Sequence, residues 1–499
     1  MRKHLIIIFL SFAVFSSVKG QSVNGIILSD TANFKIVQVF GNHYQRGFAY
    51  GYLCADNIMD IWNNYIKPSY GAYMPFAKAV VGNPANFKVD NEFVVEARGV
   101  IDGIAYAGYD TTGIDYLDLF VVNFMTDLEG FFSINGFPES YNCSTLINWG
   151  NATMGTDLDG KAVISHFLDA LTLNEVISRN QVVVIHFPSE ADEQPWLMTG
   201  VAGQIVASQA LNNNGVVVFL NTVNGLNAQA NMEYEPMTIT LRKAIEKLDF
   251  NGDGISNIED VKKAINSNQN GYARGFIVAA LSTTHNLSND TSISFIAECA
   301  SEIPYITYRY VDDIDSVKGV NLYAANNFIK RNNALNFCNR YNRVKNFINN
   351  YYDGKNIGQN DNKEIMFTQS TQSSCLQFIQ VVPENKTFLM SVSNGLSSAY
   401  TQTIATFDYD FLFNYAGIHD FYEVEILKIF PNPSSDYIYL PIDFSENYSC
   451  FIYDLSGKIV ISDYLAKQNK IEIKDLINGF YSIKLLSNKK IYVGKFLKQ

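Results

Sequence analysis

The sequence is poor in charged residues, which make up 17% of its 499 residues, against roughly 25% in an average soluble domain. Apolar residues reach 47%, so the chain has enough hydrophobic material to bury a core and is not a disordered polypeptide. It also lacks a Lys/Arg cluster and has a net charge of −12, which excludes an electrostatic surface for nucleic acid. No apolar run after the N-terminus is long enough to predict a transmembrane helix.

Cysteine and histidine are scarce, with six of each. Six cysteines in so long a chain do not predict a disulfide framework, although one bridge among those other than Cys143 stays open. Without a Cys-x-x-Cys pair or a His-rich segment, the spacing does not indicate a zinc site. The scattered histidines give little support to a papain-like Cys-His pair.

The N-terminus has the composition of a secretory signal peptide over residues 1–20. Basic residues at its start precede an apolar run from Leu5 to Val14, and small residues follow at Val18 and Gly20. Because this run is too short to span a bilayer permanently, we expect an exported and soluble mature protein.

The rest of the chain predicts two domains, since 499 residues exceed what one hydrophobic core usually serves. Residues 21–423 mix helical and strand patterns, whereas residues 424–499 contain short alternating segments separated by turn residues. We therefore predict an α+β domain followed by a small all-β sandwich.

Cys143 begins an apolar segment that predicts a strand continuing to about Ala152. If the peptide bond after Asn142 is cut, Cys143 carries both a thiol and a free α-amine. An α-amine titrates at about 7.7–8.0 and a thiol at about 8.5, so one residue supplies a nucleophile and its base at neutral pH. Such chemistry requires no separate histidine.

A turn rich in Gly and Asp, residues 154–160, separates this strand from a second one that runs from Lys161 to Asp169. Folding the hairpin about residues 156–157 places Cys143 opposite positions 169–171. We therefore expect Asp169 beside Cys143, where a carboxylate would stabilise the α-ammonium during proton transfer.

This arrangement resembles the penicillin acyltransferase-like and choloylglycine-hydrolase-like families of N-terminal-nucleophile hydrolases. Their pattern is a Cys, a strand, a Gly-rich turn and an Arg-x-x-Asp strand. Here the last element is His166-Phe-Leu-Asp169, so the Asp matches and the Arg does not. A His can partly replace that cation at acidic pH, but the favoured interpretation of His166 is a histidine at the edge of the core. The resemblance covers most of residues 35–400 and includes a Gly-x-x-x-Gly segment after Gln45. It implies a four-layer αββα sandwich.

The same resemblance implies two further site residues. Asn286 matches an Asn that stabilises the oxyanion, and such a donor contributes about 3–4 kcal/mol to acyl transfer. Arg340 begins a helix where these enzymes carry an Arg, and Ala324-Ala-Asn-Asn-Phe matches their Thr-Asn-His-Phe segment without the His. The implied catalytic set is Cys143, Asp169, Asn286 and Arg340.

Residues 249–260 have the spacing of an EF-hand-type calcium loop and resemble a single dockerin or EF-hand repeat. Helical periodicity on both sides, over residues 237–248 and 258–265, supports this interpretation. A single loop of this kind predicts a structural calcium ion. The predicted ligands are Asp249, Asn251, Asp253, Ile255, Asn257 and Asp260.

Residues 424–499 resemble the C-terminal sorting domain of the Bacteroidota type nine secretion system. The resemblance rests on the Phe430-Pro-Asn-Pro opening, the Tyr453-Asp-Leu-Ser-Gly turn, the Asn478-Gly-Phe-Tyr-Ser-Ile strand and the Gly494-Lys-Phe-Leu-Lys end. It implies export by that secretion machinery and a final location outside the cell or on its surface. A generic β module for carbohydrate or protein binding is the alternative.

The predicted function is a secreted cysteine amidohydrolase or acyltransferase, without an organic cofactor, that cleaves itself before Cys143. It would then attack the amide bond of a small molecule or small peptide through an acyl-thioester. One alternative is a hydrolase of ceramide-like or acylethanolamine-like lipid amides, whose acyl pocket the 35 Phe and 30 Tyr residues would suit. Another is a secreted binding protein, stabilised by calcium, that kept the fold and lost catalysis; the missing Arg and His favour it. A protease has no specific support.

Overall fold

The computed structural model describes residues 22–30, 34–132, 142–169, 173–223, 228–283, 292–313, 316–331, 338–371, 374–414, 423–441, 447–454, 459–466, 469–486 and 490–499. The predicted signal peptide, residues 1–20, lies outside the described residues. Both helices and strands are abundant, and the predicted α+β class is confirmed.

The first strands are β1 (Gly25–Asp30), β2 (Phe34–Gly41), β3 (Asn142–Asn148), β4 (Val163–Asp169), β5 (Gln181–Pro188), β6 (Trp196–Val201), β7 (Gln209–Asn212), β8 (Val217–Val223), β9 (Gly275–Leu281), β10 (Ser294–Cys299), β11 (Ile306–Arg309), β12 (Asn321–Ala324), β13 (Cys375–Val382), β14 (Thr387–Val392) and β15 (Ala405–Asp408). The later strands are β16 (Glu423–Ile426), β17 (Tyr437–Tyr439), β18 (Asn447–Tyr453), β19 (Ile459–Ala466), β20 (Lys470–Glu472), β21 (Gly479–Leu486) and β22 (Lys490–Lys498).

The α-helices are α1 (His43–Leu53), α2 (Ala55–Ile61), α3 (Lys67–Tyr70), α4 (Met74–Val81), α5 (Asn91–Tyr106), α6 (Tyr116–Asn123), α7 (Met125–Leu128), α8 (Glu175–Arg179), α9 (Met237–Glu246), α10 (Ile258–Asn266), α11 (Asn339–Phe347), α12 (Gln359–Ile365) and α13 (Tyr409–Phe413). Short π-helical segments cover Trp62–Ile66, Ile348–Tyr352 and Met366–Ser370, and 3₁₀ segments cover Gly150–Ala152, Pro383–Asn385 and Ala399–Thr401.

Two large sheets form the centre of the α+β domain. The nine-stranded sheet has the order β1-β2-β5-β6-β7-β8-β9-β10-β11, and the six-stranded sheet has the order β12-β3-β4-β13-β14-β15. Within these two sheets the strand pairs are antiparallel except β2 with β5, which is parallel. Continuous apolar runs such as Val182–Ile185 suit strands that are covered on both faces.

Three hydrophobic cores separate four layers, as the αββα expectation requires. Side chains such as Ile147 and Ile185 meet between the two sheets. The other face of the nine-stranded sheet packs on a helical layer that includes α1, α5 and α9. The other face of the six-stranded sheet packs on α11 and α12, with Phe167 against Tyr341 and Val344 in one cluster. The expected four-layer sandwich is therefore confirmed.

The Gly-x-x-x-Gly segment brings two helices into backbone contact. Asn42 caps α1, and Gly47 and Gly51 face α5 so closely that a Cβ on Gly47 would lie 2.1 Å from the carbonyl oxygen of Glu96. Gly99 and Gly103 return the contact from α5. Because no side chain separates the two backbones, α5 carries Glu96 next to the first turn of α1.

The C-terminal residues form two small sheets with a common core. A five-stranded sheet has the order β16-β22-β21-β18-β19, and β17 pairs with β20 in a second sheet. Ile438 and Ile471 from the small sheet pack with Ile452, Ile483 and other side chains of the larger one. The predicted all-β sandwich is confirmed, whereas the exact boundary at residue 424 stays a prediction.

Candidate active site

The hairpin formed by β3 and β4 places Cys143 at the end of a central pair of strands. The register pairs Cys143 with Leu168 and Asn142 with Asp169, so the pairing differs by one residue from the predicted range of 169–171. The first strand also ends earlier than expected, at Asn148, because the chain turns into a 3₁₀ segment. Asp169 is nevertheless next to the bond that would be cut.

Arg340 joins the predicted residues from the helical layer. It lies in the first turn of α11, is 5% exposed, and donates from Nη1 to Asp169 Oδ2 over 2.5 Å. Its Nη2 donates to the backbone carbonyl of Cys143 over 2.6 Å and to Asn326 Oδ1 over 2.5 Å. One guanidinium therefore fixes the start of β3, the carboxylate at the end of β4 and an amide side chain.

The thiol of Cys143 is protonated in this environment. Burial, reinforced by the charge of Asp169, raises its pKa to about 12, and Arg340 and a backbone hydrogen bond from Thr222 offset only part of this rise. Burial also raises the pKa of Asp169 to about 7, although the ion pair with Arg340 acts in the opposite direction. The intact chain therefore holds a neutral thiol beside a carboxyl group that titrates near neutrality.

His166 is a buried core histidine, as its favoured interpretation predicted, and not a substitute cation. Its ring is fully buried, stacks on Phe219 with a centroid distance of 4.7 Å, and lies 3.0 Å from Thr145 Oγ1 through Nδ1. Burial, followed by the charge of Arg340, lowers its pKa to about 3. A charged ring here would place an ion between the two sheets, so His166 cannot replace the missing Arg as a cation.

Asn326 belongs to the Ala324–Phe328 segment that resembles the family pattern, but the sequence predicted Asn286, not Asn326, as the amide of the site. Asn286 lies outside the described residues. Asn326 accepts from Arg340 and donates from Nδ2 to the carbonyl of Thr222 over 2.7 Å. The only signal for it was its place in the Ala324–Phe328 segment, which does not show that its side chain meets Arg340.

A cavity of about 100 Å³ opens beside Cys143, and its wall is mainly apolar. Polar groups interrupt this wall at a few places, among them Gln204, Gln209 and Thr222. Its apolar lining comprises Ile61, Tyr65, Ile66, Val122, Met125, Leu168, Ile177, Val201, Ala202 and Leu220. A thiol at the edge of such a cavity can meet a carbonyl whose substituent is apolar.

The predicted calcium loop has a fixed backbone turn. Gly252 and Gly254 have φ of +85° and +84°, and Asp249 accepts from the backbone N–H groups of both glycines and of Asp253. Asp253 N–H also donates to Asn251 Oδ1 over 2.8 Å, so these side-chain oxygens face one centre. The flanking helices α9 and α10 begin at the predicted residues.

Asn257 and Asp260 are placed differently from the exposed part of this loop. Asn257 caps α10, and the two carboxylate oxygens of Asp260 accept from the N–H groups of Asn251 and Asn257 over 3.0 Å. Both side chains are buried. The oxygen-rich set fits a hard cation such as Ca²⁺.

Comparison with known families addresses the C-terminal sandwich directly. Residues 428–499, which form most of this sandwich, match a known domain family. These residues are a secretion system C-terminal sorting domain. The sorting domain confirms the predicted interaction with secretion machinery and the predicted location, secreted or on the cell surface. Within the described residues, no helix combines the length and apolarity needed to cross a membrane.

Solved structures similar to the chain include amidases and acylases at low identity. The Caenorhabditis elegans ortholog of N-acylethanolamine-hydrolyzing acid amidase is 12% identical, with a TM-score of 0.35 over 53% of this chain and 99% of that chain. A mutant of conjugated bile acid hydrolase from Clostridium perfringens is 12% identical, with a TM-score of 0.32 over 54% and 92% of the two chains. Penicillin V acylase from Agrobacterium tumefaciens is 10% identical, with a TM-score of 0.30 over 53% and 86%. No curated protein sequence matches the chain.

Proposed function

We propose that the α+β domain is an N-terminal-nucleophile cysteine hydrolase or acyltransferase that acts on carbon–nitrogen amide bonds. The observation that carries this proposal is the Arg340 guanidinium, which bonds both to Asp169 and to the backbone of Cys143 at the edge of an apolar cavity. A buried Cys at a strand start is usually a small hydrophobic residue. The carboxylate and guanidinium beside the main chain of Cys143 favour a reactive position over a purely apolar one.

The first step would be cleavage of the bond between Asn142 and Cys143. The Cys143 thiol attacks the carbonyl carbon of Asn142, the peptide C–N bond breaks, and the nitrogen takes a proton to become the free α-amine. Water then hydrolyses the resulting thioester and releases the carboxylate of Asn142. The step converts an amide nitrogen, which is no base, into an amine that titrates at about 7.7–8.0.

The new amine would then act as the base for its own thiol. It lies beside Asp169 through the β3–β4 register, and a carboxylate there stabilises the ammonium formed when the thiol gives up its proton. The thiolate attacks a substrate amide, the leaving amine takes the proton, and the acyl-thioester passes its acyl group to water or to another amine. From the family resemblance we assign oxyanion stabilisation to Asn286, and Asn326, which accepts from Arg340, is a second amide of the site.

The apolar wall of the cavity favours a lipid amide as the second candidate substrate class. Leu168, the strand partner of Cys143, lines the cavity and is apolar, and Glu129 is the single carboxylate among the lining residues. A fatty acyl chain would bury its methylene groups there, with a gain of about 0.8 kcal/mol for each. A small polar acyl group would gain much less.

Intact mass and N-terminal sequencing test the proposal without knowledge of the substrate. The chain without residues 1–20 is expected to give a fragment that begins at Cys143, whereas Cys143→Ala is expected to stay uncut. Cys299→Ala is the matched control, because Cys299 is also buried but lies on β10 in the nine-stranded sheet. A folded wild-type chain that stays intact would contradict the mechanism and favour the binding-protein alternative.

Calcium binding by residues 249–260 stays a separate proposal. It is supported by the convergence of the Asp249, Asn251 and Asp253 side chains on one backbone turn, with Asp260 beneath them. The loop connects α9 to α10, so a bound Ca²⁺ would act as a structural ion rather than in the reaction.

A further inference from the structure

A second group of charged side chains is buried on the other side of the molecule, in the helical layer that contains α1. His43 on α1, Glu92 on α5, Glu193 in the turn after β5 and Glu246 at the end of α9 each direct one ligand atom to a common centre, and these atoms lie within 4.8 Å of one another. We call these four residues the His43 cluster. We propose that the His43 cluster binds a divalent transition-metal ion, such as Zn²⁺ or Mn²⁺, as a structural metal.

The distances within the His43 cluster suit such an ion. His43 Nε2 lies 3.1 Å from Glu193 Oε1, 3.8 Å from Glu246 Oε1 and 4.0 Å from Glu92 Oε2. Ligand atoms at roughly 2.1 Å from a tetrahedral ion are roughly 3.4 Å apart. The observed distances bracket this value, so small side-chain movements would complete the coordination.

Glu96 holds the His43 ring in the orientation that metal binding needs. Its Oε2 lies 2.7 Å from His43 Nδ1, and Arg242 fixes the same carboxylate through two hydrogen bonds. Metal-ligating histidines typically donate their other ring N–H to a carboxylate, which fixes the tautomer. With Nδ1 engaged by Glu96, Nε2 is the nitrogen that faces the three remaining carboxylates.

One oxygen in the centre has no hydrogen-bond partner among the described residues. Glu246 Oε1 belongs to a fully buried side chain, whereas Oε2 of the same carboxylate accepts from Arg242 over 2.9 Å and from Trp196 over 3.1 Å. A buried carboxylate oxygen without a partner is costly, and a bound cation would remove that cost. This oxygen is the one that faces His43 Nε2.

The charges around the His43 cluster also leave room for a cation. Three permanent cations, Arg46, Arg242 and Lys247, face five carboxylates, if the solvent-exposed Asp192 is left aside. The carboxylates belong to Glu92, Glu96, Glu190, Glu193 and Glu246. Two negative charges remain, which one divalent ion would neutralise. One imidazole with three carboxylates suits Zn²⁺, Mn²⁺ or Fe²⁺.

The ion would stabilise the wall of the cavity next to Cys143. Thr238 at the start of α9 lines that cavity, and Arg242, one turn later, donates to the carbonyl of Ile205, next to the lining residue Gln204. The His43 cluster ties α9 to α1 and α5. Metal binding would therefore hold α9 and the residue 204–205 loop in place.

Metal analysis of the full chain tests the proposal. After treatment with a chelator, the protein is titrated with Zn²⁺ or Mn²⁺ at saturating Ca²⁺, and binding is followed by calorimetry and by the visible absorption of bound Co²⁺. We expect the wild type to bind one ion per chain. Glu92→Gln should bind it at least tenfold more weakly, since the Glu92 side chain is 33% exposed, and Glu246→Gln should lose binding. Glu259→Gln, 26% exposed on α10, is the matched control and should bind as the wild type does.

Three results would overturn the proposal. The first is no stoichiometric binding by folded wild-type protein, in which case a protonated His43 pairs with the carboxylates in place of a metal ion. The second is binding that Glu92→Gln and Glu246→Gln both leave unchanged. The third is an ion that Asp253→Asn releases and Glu92→Gln retains, since that ion belongs to the calcium loop. Circular dichroism of each variant separates loss of binding from loss of fold.

Discussion

The two outer helical layers each contribute buried charges to one centre, and the two centres differ in charge balance. At Cys143 a single carboxylate, Asp169, is matched by a single guanidinium, Arg340. In the His43 cluster and its surroundings, carboxylates outnumber permanent cations by two. A balanced pair suits a site in which charge forms only during a reaction, whereas a persistent negative excess suits a cation that stays bound.

Accessibility separates the centres in the same way. Cys143 lines a cavity with a mainly apolar wall, although the residue is only 1% exposed. In the His43 cluster, His43, Glu193 and Glu246 are buried among helices, and only Glu92 is substantially exposed. Buried ionisable groups in this fold therefore have two different roles, since one centre borders a cavity and the other connects helices.

The largest expected effect breaks the balanced centre. Arg340→Lys keeps the charge but cannot reach Asp169, the Cys143 carbonyl and Asn326 together, because an ammonium lacks the planar fork of a guanidinium. We expect the rate of self-cleavage before Cys143 to fall about 10²–10³-fold, the usual effect of losing one preorganised donor.

The measurement is the time course of fragment formation by intact mass. Arg343→Lys on the same helix is the matched control, because Arg343 bonds to the carbonyl oxygens of Gln369 and Thr371 and not to the site. Equal slowing in both variants would show that α11 needs two arginines for stability and would remove the special role of Arg340.

Asp127 provides a test of α9, the helix that connects the two centres, because its side chain caps the start of that helix. It is fully buried, Oδ1 accepts from Met237 N–H over 3.2 Å, and burial raises its pKa from 3.8 to about 7. Between about pH 4 and 7 the folded protein keeps a proton that the unfolded chain has lost, so stability falls as pH rises through this window.

Asp127→Asn removes this loss, because the amide keeps the cap without ionising. A shift of about three pKa units corresponds to about 4 kcal/mol, so the variant should be more stable than wild type at pH 8 by up to that amount, and the two should agree near pH 4. Chemical denaturation at several pH values measures the difference. Because the pKa of Asp169 is also about 7, the stability of the variant should still fall somewhat as pH rises. If stability falls as steeply with pH in the variant as in the wild type, Asp127 is not the cause of the loss.

The sequence alone was informative where the relevant residues are neighbours or share a repeat. Cys143 and Asp169 lie on two strands of one hairpin, so counting residues from the turn predicted their proximity to within one position. The helix starts at Met237 and Ile258 followed from helical periodicity on either side of the calcium loop. Local chemistry fixes these features before tertiary packing acts.

Residues from distant elements could not be found in this way. The four ligands of the His43 cluster come from α1, α5, the turn after β5 and α9, and no spacing in the chain connects them. Asn326 was visible as part of a segment, but only the fold shows that it meets Arg340. His166 is predicted from the sequence as a core histidine, but only the fold shows that its ring stacks on Phe219.

The smallest expected effect separates the calcium loop from the His43 cluster. Ca²⁺ at about 100 times its dissociation constant should stabilise the wild type by about 2.7 kcal/mol, which raises the melting temperature by several degrees. Asp253→Asn removes one charge at an exposed ligand position while an amide oxygen can still accept from Ile255 N–H. We expect most of the calcium-induced shift to disappear in this variant, as measured by differential scanning calorimetry.

Glu92→Gln should keep that shift, because its carboxylate faces His43 and Lys247 rather than the loop. If the shift is lost in Glu92→Gln and kept in Asp253→Asn, the calcium ion lies in the His43 cluster. That result would contradict the assignment of Ca²⁺ to the loop and of a transition metal to the His43 cluster, which rests on the types of donor atom.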